Sequence, residues 1–199
     1  MVRTICWFLN SMEQEAQEIA RGLRRRDPDL LERLIQQYHY RLLRYLLMLT
    51  ANQETAEDLF QETWVRVLEK GHYYNGRWKF EAWLFTIARH LTIDHLRRRQ
   101  PQSLDALLDP GEGEQPMELR DPEGTTPFET AAQSEEARRM ASLLLRLPAS
   151  YREVLVLRFQ EDLELSEIAS IVRAPLSTIK SRLYRGLEAL REHLEEQAS

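Results

Sequence analysis

Between Arg173 and Arg191 the chain places Thr178, Lys180, Ser181, Arg182, Tyr184 and Arg185 in a nearly continuous row. Hydroxyl, ammonium and guanidinium groups at such spacing can donate to phosphate oxygens and to base-pair edges. A helix in a DNA major groove needs both kinds of contact, the first to hold its register and the second to read sequence. The same stretch carries five basic residues (Arg173, Lys180, Arg182, Arg185, Arg191) against Glu188, a local charge of +4. A cationic row alone also describes an ordinary solvated helix face, so the scaffold that presents it matters.

That scaffold is Leu165 to Leu190. Ile168, Ile171 and Val172 fall on one face of a short helix, and Arg173-Ala174-Pro175 then breaks it, because proline disfavours helix in the residue before it. A longer helix follows with Leu176, Ile179, Leu183, Leu187 and Leu190 inward at spacings of three or four. Helix, tight break and basic second helix make a helix-turn-helix.

A second chemistry-bearing stretch is GHYYNGRW, where Tyr73, Tyr74 and Trp78 sit beside His72, Asn75 and Arg77. Aromatics in a short polar loop can be satellite core, and they can also stack on unpaired bases at about 1–3 kcal/mol per base. The next helix, Phe80 to Arg99, should bury Phe80, Trp83, Leu84, Ile87, Leu91 and Leu96 and ends on Arg97, Arg98 and Arg99. Those arginines complement a helix dipole. Beside the loop aromatics they favour single-stranded nucleic acid. His90 and Asp94, one turn apart with His95 adjacent, resemble a metal pair, but no further ligand cluster accompanies them. No metal, cofactor or catalytic residue is expected, and hence no enzyme.

Three amphipathic helices between Asp27 and Arg99 must carry this loop. Asp27-Pro28 is a start signal, and Leu31, Leu34, Ile35, Tyr38, Leu42, Tyr45, Leu46 and Leu49 keep one face apolar. The second helix is expected to start near Thr55 with Asp58 as capping partner. It should bury Ala56, Leu59, Phe60, Thr63 and Val67, and Gly71 should end it. Asp58, Gln61 and Glu62 share another face, either solvated or a dock for a basic helix.

Composition bounds the rest. The 199 residues are 43% hydrophobic, enough for helical cores, while seven glycines leave few turns for a sheet. The single cysteine, Cys6, gives neither a disulfide framework nor a zinc cluster, and a cytoplasmic location fits. No apolar run approaches a membrane span, and residues 1–11 have too short an apolar core for a signal, reading as an over-long start or an arm. The net charge of −5 argues against indiscriminate coating of nucleic acid, but it is unevenly spread. Between Gln100 and Ala137 ten acidic residues face only Arg120, among five prolines and three glycines, so the rest of the chain is at +4. Such a segment buries too little apolar surface to offset chain entropy and reads as a flexible linker. The fold class is all-α: an N-terminal arm over 1–26, partly disordered, a helical domain over 27–99, an acidic linker over 100–136 and a helix-turn-helix domain over 137–195.

The chain resembles the extracytoplasmic-function (ECF) sigma factors of bacterial RNA polymerase. AEDLFQETWVRVLEK is similar to their second conserved segment, and FEAWLFTIARHLTIDHLRRR to their WL-x-x-IA-R-N-x-x-x-D-x-x-R pattern. LPASYREVLVLRFQEDLELSEIASIVRAPLSTIKSRLYRGLEALR resembles their C-terminal promoter-binding domain. The resemblance implies that Asp58, Gln61 and Glu62, with Trp64 beside them, dock on a coiled coil of the core polymerase largest subunit. It implies that the −10 promoter element is recognised and opened by Tyr73, Tyr74, Asn75, Arg77, Trp78, Phe80, Trp83, His90, Asp94, Arg97 and Arg98. The −35 element would be read as duplex by Lys180, Ser181, Tyr184 and Arg185, with Thr178 and Arg182 on phosphates. An anti-sigma partner is also implied.

The chain departs from the family pattern at four places. His90 stands where asparagine is common, Arg173 and Ser177 where glycines are usual, and Glu164 where a serine caps the helix. Ser166 is therefore expected to take over that cap and Ser177 to cap the recognition helix. The alternative function is a stand-alone helix-turn-helix regulator on a palindromic site. A helical adaptor without a DNA role would leave the basic face unexplained.

Overall fold

The computed structural model describes residues 2–99 and 135–198, which form helices and connecting turns with no strand among them. The expected acidic linker lies almost wholly outside these residues. The N-terminal module consists of α1 (Val2–Arg25), α2 (Pro28–Thr50), α3 (Gln53–Lys70), a 3-10 turn over Gly71–Tyr73, and α4 (Phe80–Arg99). Asp27 caps α2 as its sequence signal predicts, with Oδ1 accepting from the backbone N–H groups of Asp29 at 3.0 Å and Leu30 at 3.3 Å. The α2 stripe is buried through Leu34, Tyr38, Leu42, Tyr45, Leu46 and Leu49, while Leu31 and Ile35 are only partly covered.

The second start signal falls elsewhere than expected. Asn52 caps α3, its side chain accepting from Thr55 N–H at 2.8 Å, so the helix begins two residues before Thr55 and Asp58 takes no capping role. Gly71 caps the end of α3 as expected, in the right-handed conformation. Its φ is −54°, and an added Cβ would come within 3.1 Å of Leu23 Cβ, so glycine there permits the close approach of α1. Over the expected arm, 2–25 is helix, and Ile19, Ala20 and Leu23 of α1 are buried against the module.

The C-terminal module is α5 (Glu135–Arg146), α6 (Ala149–Leu155) running into a π turn over Val156–Gln160, α7 (Leu165–Val172) and α8 (Leu176–Ala198). Ile168, Ile171 and Val172 of α7 are buried as their spacing predicts. Glu164 keeps the cap position of α7, and its N–H donates to Glu167 Oε2 at 2.8 Å, so the entry does not shift to Ser166. Arg173 takes the left-handed conformation (φ 56°, ψ 44°), where a glycine would sit without the steric cost of a Cβ. α8 begins at Leu176, with the Pro175 carbonyl accepting from Ile179 N–H at 3.1 Å, which puts Ser177 inside the first turn rather than at the cap.

The two modules pack on each other, α6 against α2 and α7 against α4. α4 is therefore covered on more than one side: Leu84, Phe85, Ala88 and Thr92 are fully buried, and so is Arg89. A helix apolar around most of its circumference belongs inside a structure, and here a second module supplies part of the cover.

Candidate nucleic-acid interface

The recognition row on α8 is displayed as a surface. Lys180, Ser181 and Arg185 are exposed, Tyr184 is 70% exposed, and Thr178 is half-buried. Arg182 differs, being only 5% exposed, because it lies on the inner side of α8 with Ile179 and Leu183. Two leucines assigned inward point the other way: Leu176 and Leu187 are among the exposed hydrophobic residues. Gly186 allows the reason to be seen, since a Cβ there would meet Leu155 and Tyr151 of α6 at 3.2 Å. The α8 seam against α6 thus runs through Ile179, Arg182, Leu183 and Gly186, rotated from the leucine repeat.

The loop between the 3-10 turn and α4 divides its aromatics into two groups. Tyr74, 2% exposed, and Phe80 are core: their rings meet at 5.6 Å, Phe80 meets Tyr38 at 5.4 Å, and Tyr74 meets the half-buried Trp83 at 5.2 Å. The Tyr74 hydroxyl donates to the Trp78 carbonyl at 2.7 Å, and burial raises its pKa above the usual phenol range. This clamp holds up a solvent-facing set: Tyr73 and Trp78 (59% exposed), with Asn75 and Arg77. The Asn75 side chain accepts from Arg77 N–H at 3.0 Å, and Gly76 (φ 71°) approaches the Ala16 carbonyl of α1, a path that only glycine follows without strain. Exposed rings beside a guanidinium are a kind of surface on which unpaired bases can stack.

Farther along α4, Asp94, Arg97 and Arg98 are exposed and His90 is half-buried. Burial lowers the His90 pKa, and the Arg173 charge from the C-terminal module lowers it further. No group of three or more His, Cys, Asp or Glu side chains among the described residues is placed to hold a metal.

On α3, Asp58, Gln61 and Glu62 are exposed on one face as the spacing predicts, whereas Trp64 is 6% exposed and packs inward. The face continues through exposed Val65 and Leu68, which sequence reasoning missed. The signal was available: Gln61, Val65 and Leu68 follow at helical spacing from Asp58. Acidic and apolar groups side by side suit a protein partner better than a nucleic acid.

Two family models match the chain, one on each module: sigma-70 region 2 over residues 34–102 and sigma-70 region 4 over residues 137–190. The chain is 30% identical over 184 residues to the ECF RNA polymerase sigma factor SigW of Bacillus subtilis, covering 92% of this chain and 98% of that one. It is 33% identical over 160 residues to SigX of the same organism, covering 79% and 80%. Among solved structures it superposes on CnrH, determined in complex with the cytosolic domain of CnrY, with a TM-score of 0.63 at 19% identity over 90% of this chain and 97% of that one. It superposes on the sigma factor RpoE from Bartonella quintana, determined in complex with the anti-sigma factor NepR, with a TM-score of 0.58 at 24% identity, covering 82% and 98%. Both likenesses establish a shared fold. With two sigma regions in order and relatives aligned along nearly their full length, the chain belongs to the ECF sigma factors of RNA polymerase.

Proposed function

We propose that this chain binds core RNA polymerase in the cytoplasm and directs it to a specific class of promoters, performing no chemistry of its own. What carries this reading is the presence, in one chain, of both sigma regions with an outward recognition helix in the second. A stand-alone regulator would have no use for the first region, and is not favoured.

The roles divide by surface. Lys180, Ser181, Tyr184 and Arg185 read the −35 duplex, with Thr178 at the phosphates. Arg182, buried on the inner side, supports α8 in this conformation. Tyr73, Asn75, Arg77 and Trp78 receive the opened −10 strand, held from beneath by Tyr74, Phe80 and Trp83, while His90, Asp94, Arg97 and Arg98 extend the track along α4. Opening costs a few kcal/mol for a flipped base, which stacking on Trp78 and Tyr73 offsets. Asp58, Gln61 and Glu62, continued by Val65 and Leu68, dock on a basic helical element of the polymerase, with Trp64 setting the helix from inside. An anti-sigma factor is the natural inhibitor, as the chain shares its fold with sigma factors solved in such complexes.

The deciding experiment is transcription in vitro with core polymerase on genomic fragments, mapping start sites with and without the chain. New, discrete start sites that depend on it are expected. A chain that neither associates with core polymerase nor changes where RNA synthesis begins would refute the proposal.

A further inference from the structure

The loop that carries Tyr73, Asn75, Arg77 and Trp78 is fastened to α1 as well as to its own core. Three contacts follow one another along both segments. At the loop's start, a Cβ on Gly71 would stand 3.1 Å from Leu23 Cβ, and Leu23 is buried. At its tip, Gln17 Nε2 donates to the Asn75 carbonyl at 3.4 Å, and a Cβ on Gly76 would come 3.0 Å from the Ala16 carbonyl oxygen. Where the loop enters α4, Lys79, Phe80 and Glu81 share a cleft with Glu15, Ala16 and Ile19. Leu23 and Ala16 are seven residues apart, about 10 Å of helix rise. α1 therefore runs antiparallel to the loop and accompanies it from Gly71 to α4.

These contacts are of unequal kind. Leu23 and Ile19 are buried and hold α1 on the module. The Gln17 bond is exposed, and the Ala16 approach is backbone to backbone, at a glycine whose φ of 71° most residues adopt only at a cost. Neither buries much apolar surface, so their effect is on where the tip stands. Tyr74 anchors the middle of the loop in the core, and the Asn75 side chain shapes the turn by accepting from Arg77 N–H at 3.0 Å. The tip, beyond that anchor, takes its position from α1. A surface that receives a ligand needs its groups placed to about 0.5 Å. The match to sigma-70 region 2 begins at residue 34, so α1 lies outside it.

We propose that α1 is a positioning element for promoter opening: Gln17 and the Ala16 carbonyl hold Asn75 and Gly76 so that Arg77 and Trp78 meet the opened −10 strand, while α1 itself contacts no base. The proposal rests on the sigma-factor reading and gives a role to a segment whose sequence reads only as an arm. A loop released from α1 has to be ordered by the strand itself, and that entropy is subtracted from what stacking supplies. Opening suffers, whereas the −35 duplex, read by the other module, and the α3 face toward polymerase are untouched.

The test uses holoenzyme reconstituted from core polymerase and the full chain, on a promoter located by start-site mapping. Opening is followed by 2-aminopurine fluorescence at the −10 element, and affinities for core polymerase and for a −35 duplex fragment are measured in parallel. Gly76→Ala and Gly76→Asn both place a Cβ against the Ala16 carbonyl, but asparagine tolerates the left-handed backbone. Both are expected to slow opening by about tenfold or more with the two affinities unchanged. Opening at the wild-type rate in Gly76→Asn would overturn the proposal, because backbone strain rather than the contact with α1 would then be the cause. Gln17→Met, at an exposed position where folding is not at stake, keeps the side-chain length and loses the donor. It should slow opening by about threefold, the worth of one exposed hydrogen bond, and an unchanged rate there overturns the role of Gln17. A loss of core or duplex affinity that matches the loss of opening also overturns the proposal, since the change is then a general one in the fold. Failure of the sigma-factor reading shows instead in the wild-type chain, as the absence of new start sites, and removes the proposal with it.

Discussion

α8 and α4 both carry basic residues beside aromatic ones, yet the fold treats them oppositely. α8 has one face on α6 and presents the other, with Lys180, Ser181, Tyr184 and Arg185, to solvent. α4 is enclosed by its own module and by α7, so that Arg89 is 3% exposed and only its ends and the preceding loop remain open. A duplex presents its edges in the groove and can be read by a helix that needs no rearrangement. The contrast teaches that a one-sided apolar stripe marks a helix with a free face, whereas apolar residues spread over several faces mark one that its neighbours enclose.

The largest test of this contrast is stability. Leu84→Ala on α4 removes a fully buried side chain and should cost about 3 kcal/mol in urea unfolding, while Leu187→Ala on the open side of α8 should stay within about 0.5 kcal/mol. Equal losses would break the comparison. Next is duplex reading: Lys180→Ala with Arg185→Ala should reduce −35 selection by about thirtyfold or more, at about 1–3 kcal/mol per lost base contact. Co-elution with core polymerase should survive, and a parallel loss of polymerase binding would dissolve the division between the modules. Trp78→Ala should weaken binding of an opened −10 strand by about 1–3 kcal/mol while leaving unfolding stability unchanged, since the ring faces solvent.

The smallest effect is pH dependence at His90. Burial and the charges of Arg173, Arg89 and Lys70 lower its pKa from 6.5, opposed by Asp94. The unfolded chain then binds more protons at this site than the folded one, so the contribution is absent above about pH 6.5 and becomes a cost as pH falls below it. Acidification from pH 7.5 to 5.5 should lower the melting temperature, and His90→Asn should flatten that slope. An identical slope in the variant would place the sensitivity elsewhere.

How far the chain's chemistry could be read in advance depended on the range of each interaction. The Asp27 cap, the Ile168, Ile171 and Val172 stripe and the Arg173-Ala174-Pro175 break all act within a few residues, and each lies where its spacing put it. The cap of α3 was misjudged by three residues because Asn52 and Thr55 are both competent and only geometry chooses between them. The inner face of α8 was misjudged because a leucine repeat cannot reveal that Gly186 admits α6 closely enough to rotate the seam and bury Arg182.

The linear order of residues was sufficient for two helical modules, an acidic connection, a basic recognition row and an aromatic loop, because helix periodicity, capping and turn chemistry are local. It was silent on which charges would be buried. Arg89 and Glu153 are 64 residues apart in the chain, and Arg41 and Glu161 are 120 apart. A charge leaves water only where a counter-charge meets it, and that encounter was decided when one module packed on the other.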